Sequence, residues 1–399
     1  MPKGYRYFPA VTQWRRRETL HRRIGPLSVG YPLLVRLMAF SGVVVLGVVV
    51  LGVVVLGVVG GSRSDSTAST GHSPWKKPIV GLHATLRGRG GDNRVATAAL
   101  ARSASVTQLR EDLSWATAEP ERGVFDWALF DGVVLAAARR GLRVLPLLDD
   151  TPGWATDGDK DSLPNDRADF AAFAAAAARR YGPGGEYWTH RRQHRKLARY
   201  APPVMEIFNE PYYHDVDPGD YARMVRDAAF AARMANPRVK FLAAAEPGEQ
   251  WLDGVYKAVP DIFASYARGG GAVHAYGNNA PATTPSLYSI ETRRVEITHA
   301  IMAEHGDGNV PVWITEVGWP TCPTPNMRCV SEGKQAKYLE AVFRLARTRW
   351  AQWLRAIFVY NLMDPSRGSP ADREQWFGLI RPDGSPKPAW SVLKRATKR

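Results

Sequence analysis

Two short stretches of this 399-residue chain carry residue types and spacings suited to acid–base chemistry. They are Met205-Glu206-Ile207-Phe208-Asn209-Glu210-Pro211 and Val312-Trp313-Ile314-Thr315-Glu316-Val317-Gly318-Trp319. Each is an apolar run that ends in a glutamate and then turns. A run of this kind reads as a fully buried strand, and a carboxylate at its C-terminal tip points into the mouth of a closed sheet. Two carboxylates facing each other can divide the labour between a proton donor and a nucleophile or base, the equipment for opening an acetal between sugars.

Bringing two such tips together requires a barrel. From Pro78 onward, strand-like runs are expected at Ile79–His83, Val106–Arg110, Leu142–Leu148, Val204–Phe208, Lys240–Ala244, Ala272–Tyr276, Val312–Thr315 and Ala356–Tyr360. Between them lie Ala-rich or amphipathic stretches such as Trp127–Arg140, Asp166–Tyr181, Pro218–Asn236, Leu287–His305 and Glu332–Trp350. Strand then helix, eight times over, is the signature of a parallel (β/α)8 TIM barrel in the α/β class. A doubly wound open sheet is the alternative. No Gly-x-Gly-x-x-Gly turn follows the first strand, so the dinucleotide-binding version of that fold loses support.

Chemistry in such barrels gathers at the C-terminal ends of the strands. Those ends carry His83, Arg110 with Asp112, Asp149-Asp150, Glu206 with Asn209 and Glu210, Glu246, His274 with Tyr276, Glu316, and Tyr360 with Asn361. By alternation Glu206 shares a side with Phe208 and opposes Asn209, so it reads as a buried carboxylate with a basic partner, outside the reacting pair. There is no His-Glu-x-x-His, no paired cysteine cluster and no Ca²⁺ loop; neither a metal nor a cofactor is expected.

An apolar content of 45% supports a large core, and the formal charge of +15 raises the question of an anionic partner. Much of that charge is diffuse arginine, and no nucleic-acid recognition module is present, so nucleic acid is not an expected partner. The run Arg191-Arg192-Gln193-His194-Arg195-Lys196 precedes the fourth strand, on the rim away from the strand tips. It reads as a solvated loop, with contact to anionic lipid or wall polymer as the alternative.

Residues 1–37 form a basic arm, expected in the cytoplasm. Residues 38–61 are uncharged and almost wholly apolar. At about 1.5 Å per residue they are long enough to cross a bilayer core of about 30 Å as a single N-terminal transmembrane helix. Arg15, Arg16, Arg17, Arg22, Arg23 and Arg36 precede them, which by the positive-inside rule sends the rest of the chain outside the cell membrane. Secretion after signal cleavage is the alternative, but the stretch exceeds a signal-peptide core of about 7–15 residues and no Ala-x-Ala site follows. Residues 62–74 read as a flexible polar linker and 75–399 as the barrel. Cys322 and Cys329, the only cysteines, could close one disulfide loop outside the membrane; a buried pair of free thiols is the alternative.

The Glu-Ile-Phe-Asn-Glu-Pro and Trp-Ile-Thr-Glu-Val-Gly-Trp patterns resemble the clan A glycoside hydrolases, barrels with acid/base and nucleophile glutamates on strands four and seven. Leu109-Arg110-Glu111-Asp112-Leu113-Ser114-Trp115, followed by Glu119-Pro120-Glu121-Arg122-Gly123-Val124-Phe125-Asp126-Trp127, looks like the family 39 type and its cellulase-like relatives. So do Thr151-Pro152-Gly153-Trp154-Ala155 and the closing Trp376-Phe377-Gly378-Leu379-Ile380-Arg381-Pro382-Asp383-Gly384. The likeness covers essentially Pro78 to Leu393.

The resemblance implies that Glu210 is the general acid/base, that Glu316 is the nucleophile and that Asn209 binds the sugar 2-hydroxyl. It puts Arg110 beside Glu316, where a cation keeps a carboxylate ionised, and lines the cleft with His274 and Tyr276, the latter donating to Glu316. Relatives often carry a sugar-platform tryptophan on strand eight. Phe358-Val359-Tyr360 has none, so Tyr360 or Trp376 stands in for it. Trp115, Trp154, Trp188 and Trp319 are further platform candidates, although tryptophan is also a common core filler. The expected activity is that of a retaining β-glycoside hydrolase acting outside the membrane on a polysaccharide or glycoconjugate. A non-catalytic glycan-binding barrel and a transglycosylase that remodels envelope glycan are the rivals.

Overall fold

Strand alternation sends side chains either towards surrounding helices or into the interior of a closed sheet, and here it builds two cores. The computed structural model describes residues 77–88, 91–214, 216–246, 250–276, 290–323, 329–366, 368–370 and 372–398. The expected arm, membrane segment and linker lie outside these residues. Among the described residues no helix is long and apolar enough to cross a membrane.

Eight strands close into one parallel barrel in chain order: β1 (Ile79–His83), β2 (Gln108–Ser114), β3 (Arg143–Asp149), β4 (Val204–Ile207), β5 (Lys240–Ala244), β6 (Gly270–His274), β7 (Val312–Val317) and β8 (Leu354–Val359). A longer helix follows each strand. These are α1 (Gly91–Ser103), α2 (Ala128–Arg139), α3 (Arg167–Tyr181), α4 (Pro218–Ala235), α5 (Trp251–Ala258), α6 (Ile290–Glu304), α7 (Glu332–Arg347) and α8 (Pro388–Lys398). The architecture is the TIM barrel anticipated from the alternating pattern.

Helix starts follow from side-chain caps. Asp166 accepts from Ala168 N at 2.9 Å, Asp217 from Asp220 N at 2.9 Å and Ser331 from Lys334 N at 3.3 Å, so each helix has one otherwise orphaned amide satisfied. Outward-facing Leu82, Leu109, Leu148, Met205, Ile207, Ala243, Val273, Ile314 and Ile357 join the helices in one large core. Inward-facing Leu145, Leu242, Ala272, Trp313, Ala356 and Phe358 form a second cluster inside the barrel. The Trp313 and Phe358 rings stack at 6.5 Å, and Gly81 makes room for them: a Cβ there would sit 2.6 Å from the Phe358 ring. This inner cluster is an apolar floor beneath the strand tips.

Two strands differ from expectation in ways that matter for the site. β2 starts two residues late and runs on through Glu111-Asp112-Leu113-Ser114, which places Arg110 in mid-strand, not at the tip. Charged residues continue this strand because each finds a partner: Arg110 the carboxylates inside the barrel, Asp112 the Arg87 guanidinium, and Glu111 the Leu86 amide. β6 runs from Gly270 to His274, so Tyr276 lies beyond it.

After β8 the chain returns under the rim, where Lys387 Nζ lies 2.5 Å from Asp364 Oδ2 with both side chains 2% exposed. Burial pushes the Asp364 carboxyl up and the Lys387 ammonium down, so desolvation outweighs the attraction between them. Such a pair adds little net stability, yet breaking it strands a buried charge. Lys387→Met is therefore expected to cost about 3–5 kcal/mol in urea unfolding; a loss within experimental error would show that Asp364 finds another partner.

Candidate active site

The strand ends converge on one guanidinium. Arg110, fully buried on β2, donates from Nε to Glu206 Oε2 at 2.6 Å, from Nη1 to Glu316 Oε1 at 2.5 Å and from Nη2 to Asn209 Oδ1 at 3.0 Å. Burial alone would pull its pKa down; Glu206 and Glu316 more than offset that and keep it charged. One planar fork thus ties β2, β4 and β7 together inside the barrel.

Irregular backbone aims the two key carboxylates. Phe208 has φ +61° and Glu210 φ +47°, left-handed conformations that are uncommon for these residue types. The turn at Phe208 breaks strand alternation: the Phe208 ring packs outward on Phe170 at 5.6 Å, while Glu206 and Asn209 both reach Arg110. The expectation that Glu206 opposes Asn209 is corrected on this point; its reading as a buried carboxylate with a basic partner holds. On β7, Trp313 points inward, so simple alternation would turn Glu316 outward. The β7–β8 register shifts between Ile314 and Val317, and Glu316 faces in.

His274 joins the two glutamates. Its Nδ1 lies 2.8 Å from Glu210 Oε1 and 3.7 Å from Glu316 Oε2. Those two oxygens are therefore at most about 6.5 Å apart, the lower edge of the separation used for inversion. The His274 Nε2 lies 3.5 Å from Arg110 Nη2, which suits a lone pair there and leaves a proton on Nδ1 facing the glutamates. Tyr276 donates to Glu316 Oε2 at 2.7 Å. Burial pushes the tyrosine's pKa well up, and Glu316 beside it adds to the effect, so the phenol keeps the proton it donates.

The environment acts on Glu316 in two directions. Burial would raise its pKa, but His274 and Arg110, then His83 and the Tyr276 hydroxyl, hold it below the usual value. The Glu210 side chain is 22% exposed against 10% for Glu316, so Glu210 faces the more open side of the mouth.

A second ionic group lines the wall over β1 to β3. Arg87 lies 3.2 Å from Asp112 and 3.1 Å from Asp150, and Lys160 lies 3.0 Å from Asp150. His83 approaches Asp112 at 3.7 Å. Beside it, Tyr360 packs at 5.2 Å from His83 and 6.1 Å from Tyr276, partly exposed at the mouth.

The tryptophan expectations need correction. Trp115 is wholly buried, stacks on Phe173 and donates to Glu119 Oε2 at 2.7 Å, which makes it a core residue and not a sugar platform. Trp376 is 9% exposed and donates to Ser369 O, so almost none of its ring face is presented. Trp188 and Trp319 are likewise buried. Cys322 and Cys329, just after β7, are joined by a disulfide.

Glu246 sits at a strand tip as expected, but its partner Arg294 escapes a reading by strand tips alone. Glu246, 2% exposed after β5, has Arg294 of α6 at 2.7 Å, and burial pushes its pKa up to about 7. Arg294 sits on a helix, where no strand-tip rule looks. No cluster of His, Cys, Asp or Glu suited to a metal occurs among the described residues.

No protein-family profile and no curated protein matches this chain. Solved structures do. A family 39 glycoside hydrolase from Bacteroides cellulosilyticus superposes with a TM-score of 0.60 at 20% identity, over 80% of this chain and 64% of that one. A family 5 subfamily 18 glycoside hydrolase variant from Streptomyces cattleya, in complex with Manβ1-4GlcNAc, gives 0.61 at 18% identity over 81% of each chain. An exo-β-1,4-mannosidase from an Opitutaceae bacterium gives 0.56 at 17% identity, over 81% of this chain and 59% of that one. The chain thus spans less than two thirds of the family 39 enzyme and of the mannosidase. The barrel fold is shared with these family 39 and family 5 glycoside hydrolases.

Two buried carboxyls near the site set a pH dependence. Glu111, fully buried and accepting from Leu86 N at 2.7 Å, and Glu246 both have folded pKa values of about 7 against an ordinary 4.5. Folded protein binds the extra protons between these values, so their contribution makes stability fall as pH rises from 4.5 to about 7. Denaturant unfolding of Glu111→Gln and Glu246→Gln across that range is expected to show a shallower fall than the parent; an unchanged slope would mean both groups ionise normally.

Proposed function

We propose that this protein is a retaining β-glycoside hydrolase that works through a covalent glycosyl-enzyme. The observation that carries the reading is the pairing of Glu210 and Glu316 across His274, with Glu316 held ionised beside Arg110. A retaining pair stands roughly 5–5.5 Å apart, and the separation here is compatible with that range.

In the first step the Glu316 carboxylate attacks the anomeric carbon while Glu210 protonates the departing oxygen. In the second, Glu210 takes a proton from water, the water attacks the same carbon and Glu316 leaves. The low pKa of Glu316 keeps it available as a nucleophile. Tyr276 and Arg110 hold its two oxygens, fixing the attacking lone pair. Asn209, anchored by Arg110, is set beside Glu210 to meet the sugar 2-hydroxyl. Tyr360 takes the part of the sugar platform at the mouth.

The structural neighbours include an exo-β-1,4-mannosidase and an enzyme holding a β1-4 disaccharide, which supports a β-linked glycan as substrate. The apolar length of residues 38–61 and the arginines before them support an anchored protein with its barrel outside the cell membrane, secretion after cleavage being the alternative. A transglycosylase would use the same residues, and product analysis with a second glycan as acceptor separates the two.

Glu210→Gln is expected to lower turnover of natural glycans about 10²- to 10⁴-fold. It should spare an aryl glycoside whose leaving group needs no proton. Glu316→Gln should abolish turnover of both, and a 2-fluoro glycoside should leave a covalent adduct on Glu316 in a peptide mass map. Unaltered turnover by Glu316→Gln would sink the assignment.

A further inference from the structure

The N-terminal rim of the barrel, opposite the mouth, carries a charge asymmetry that the proposed chemistry does not use. Four connections enter this rim between α1 and β5: residues 102–107, 139–143, 179–203 and 233–240. Together they hold fourteen arginines and lysines against one carboxylate, Glu186, in a chain whose entire formal charge is +15. The connections into β6 and β7 are different, carrying Asp261, Glu304 and Asp307 against Lys257 and Arg268. The connection into β8 is basic again, with Arg344, Arg347 and Arg349 and no carboxylate, so positive charge covers this face except over β6 and β7.

The basic segments are neighbours in space. Arg143 Nη2 donates to Arg199 O at 2.8 Å, the Arg199 guanidinium lies over Tyr200 at 4.9 Å, and Lys240 N donates to Pro203 O at 2.9 Å. Arg139, Arg140, Arg192, Lys196, Arg199 and Arg238 are all exposed. Basic residues at helix C-terminal ends complement the helix dipole, which accounts for Arg139 and Arg179. It does not account for the run at 191–199, which spans the short inserted helix Arg192–Arg195 and the turns on either side of it.

Two further observations choose the partner. On α4, Phe230 is 54% and Met234 74% exposed, with Arg233 over the Phe230 ring and Arg238 just beyond, an apolar pair edged by cations that suits the boundary of headgroups and acyl chains. The first strand begins at this face, at Ile79, and seventeen residues of sequence separate it from the apolar stretch 38–61.

We propose that this rim is a docking surface for anionic phospholipid, which holds the barrel with its mouth facing away from the bilayer. The inference is independent of the chemistry at the mouth. Attraction of this kind grows with each basic residue near the surface and fades within a Debye length, so it is salt-dependent.

The barrel closes β8 onto β1 and carries its own core, so the piece from Trp75 onward is the unit to test. It is expected to co-sediment with phosphatidylglycerol-containing vesicles at least about tenfold better than with phosphatidylcholine vesicles, and to be released by high salt. Arg192→Glu with Lys196→Glu should remove most of that preference. The charge-matched control Lys334→Glu with Lys337→Glu, on α7 at the mouth end, should leave it largely intact, with circular dichroism confirming that both variants fold. Equal binding to the two vesicle types, an equal loss in both variants, or capture by soluble poly(glycerol phosphate) without vesicle binding would each overturn the proposal.

Discussion

A guanidinium inside a barrel is tolerable only when its charge is answered on the spot, since an uncompensated buried ion costs several kcal/mol. Arg110 is answered twice, by Glu206 from β4 and Glu316 from β7, and its remaining nitrogen goes to Asn209. The arrangement does more than balance charge. Because the fork is planar, satisfying it fixes where β2, β4 and β7 stand relative to each other, and with them the two carboxylates proposed to straddle a substrate. Glu206, which has no place in the reaction itself, orients the group that holds Glu316.

The second requirement is local departure from ideal strand geometry. A regular β4 would not bring Glu206 and Asn209 to the same arginine, and a regular β7 would send Glu316 towards the helices. The left-handed turn at Phe208 and the register shift before Val317 make the aim possible. Strain and bulges at such positions are common where a side chain has to be redirected.

These departures explain what could and could not be read from sequence. The barrel was legible because its apolar runs and Ala-rich helices repeat strongly; α1, built from small and polar residues, was harder to see. Glu210, Glu316, Asn209, Arg110, His274 and Tyr276 sit together as local motifs and strand ends suggested. Alternation puts Glu206 on the wrong side because the left-handed turn at Phe208 breaks the strand pattern before Asn209. Aromatic residues near strand ends serve core and cleft equally well, and only the packing of Trp115 on Phe173, Phe170 and Trp154 makes it a core residue. Arg294 lies on a helix distant in sequence from its carboxylate, so no local pattern announces it.

The stacked Trp313 and Phe358 beneath the site have a consequence for how water is managed. The lower barrel is filled by these rings and by Leu145 and Leu242, so the floor beneath the site is apolar and offers water no polar partner. In the proposed reaction, the molecule that ends the cycle enters by the same doorway that the departing half of the substrate vacates. What stands in that doorway at that moment, a free solvent molecule or the hydroxyl of another sugar, then decides between cutting a chain and joining one.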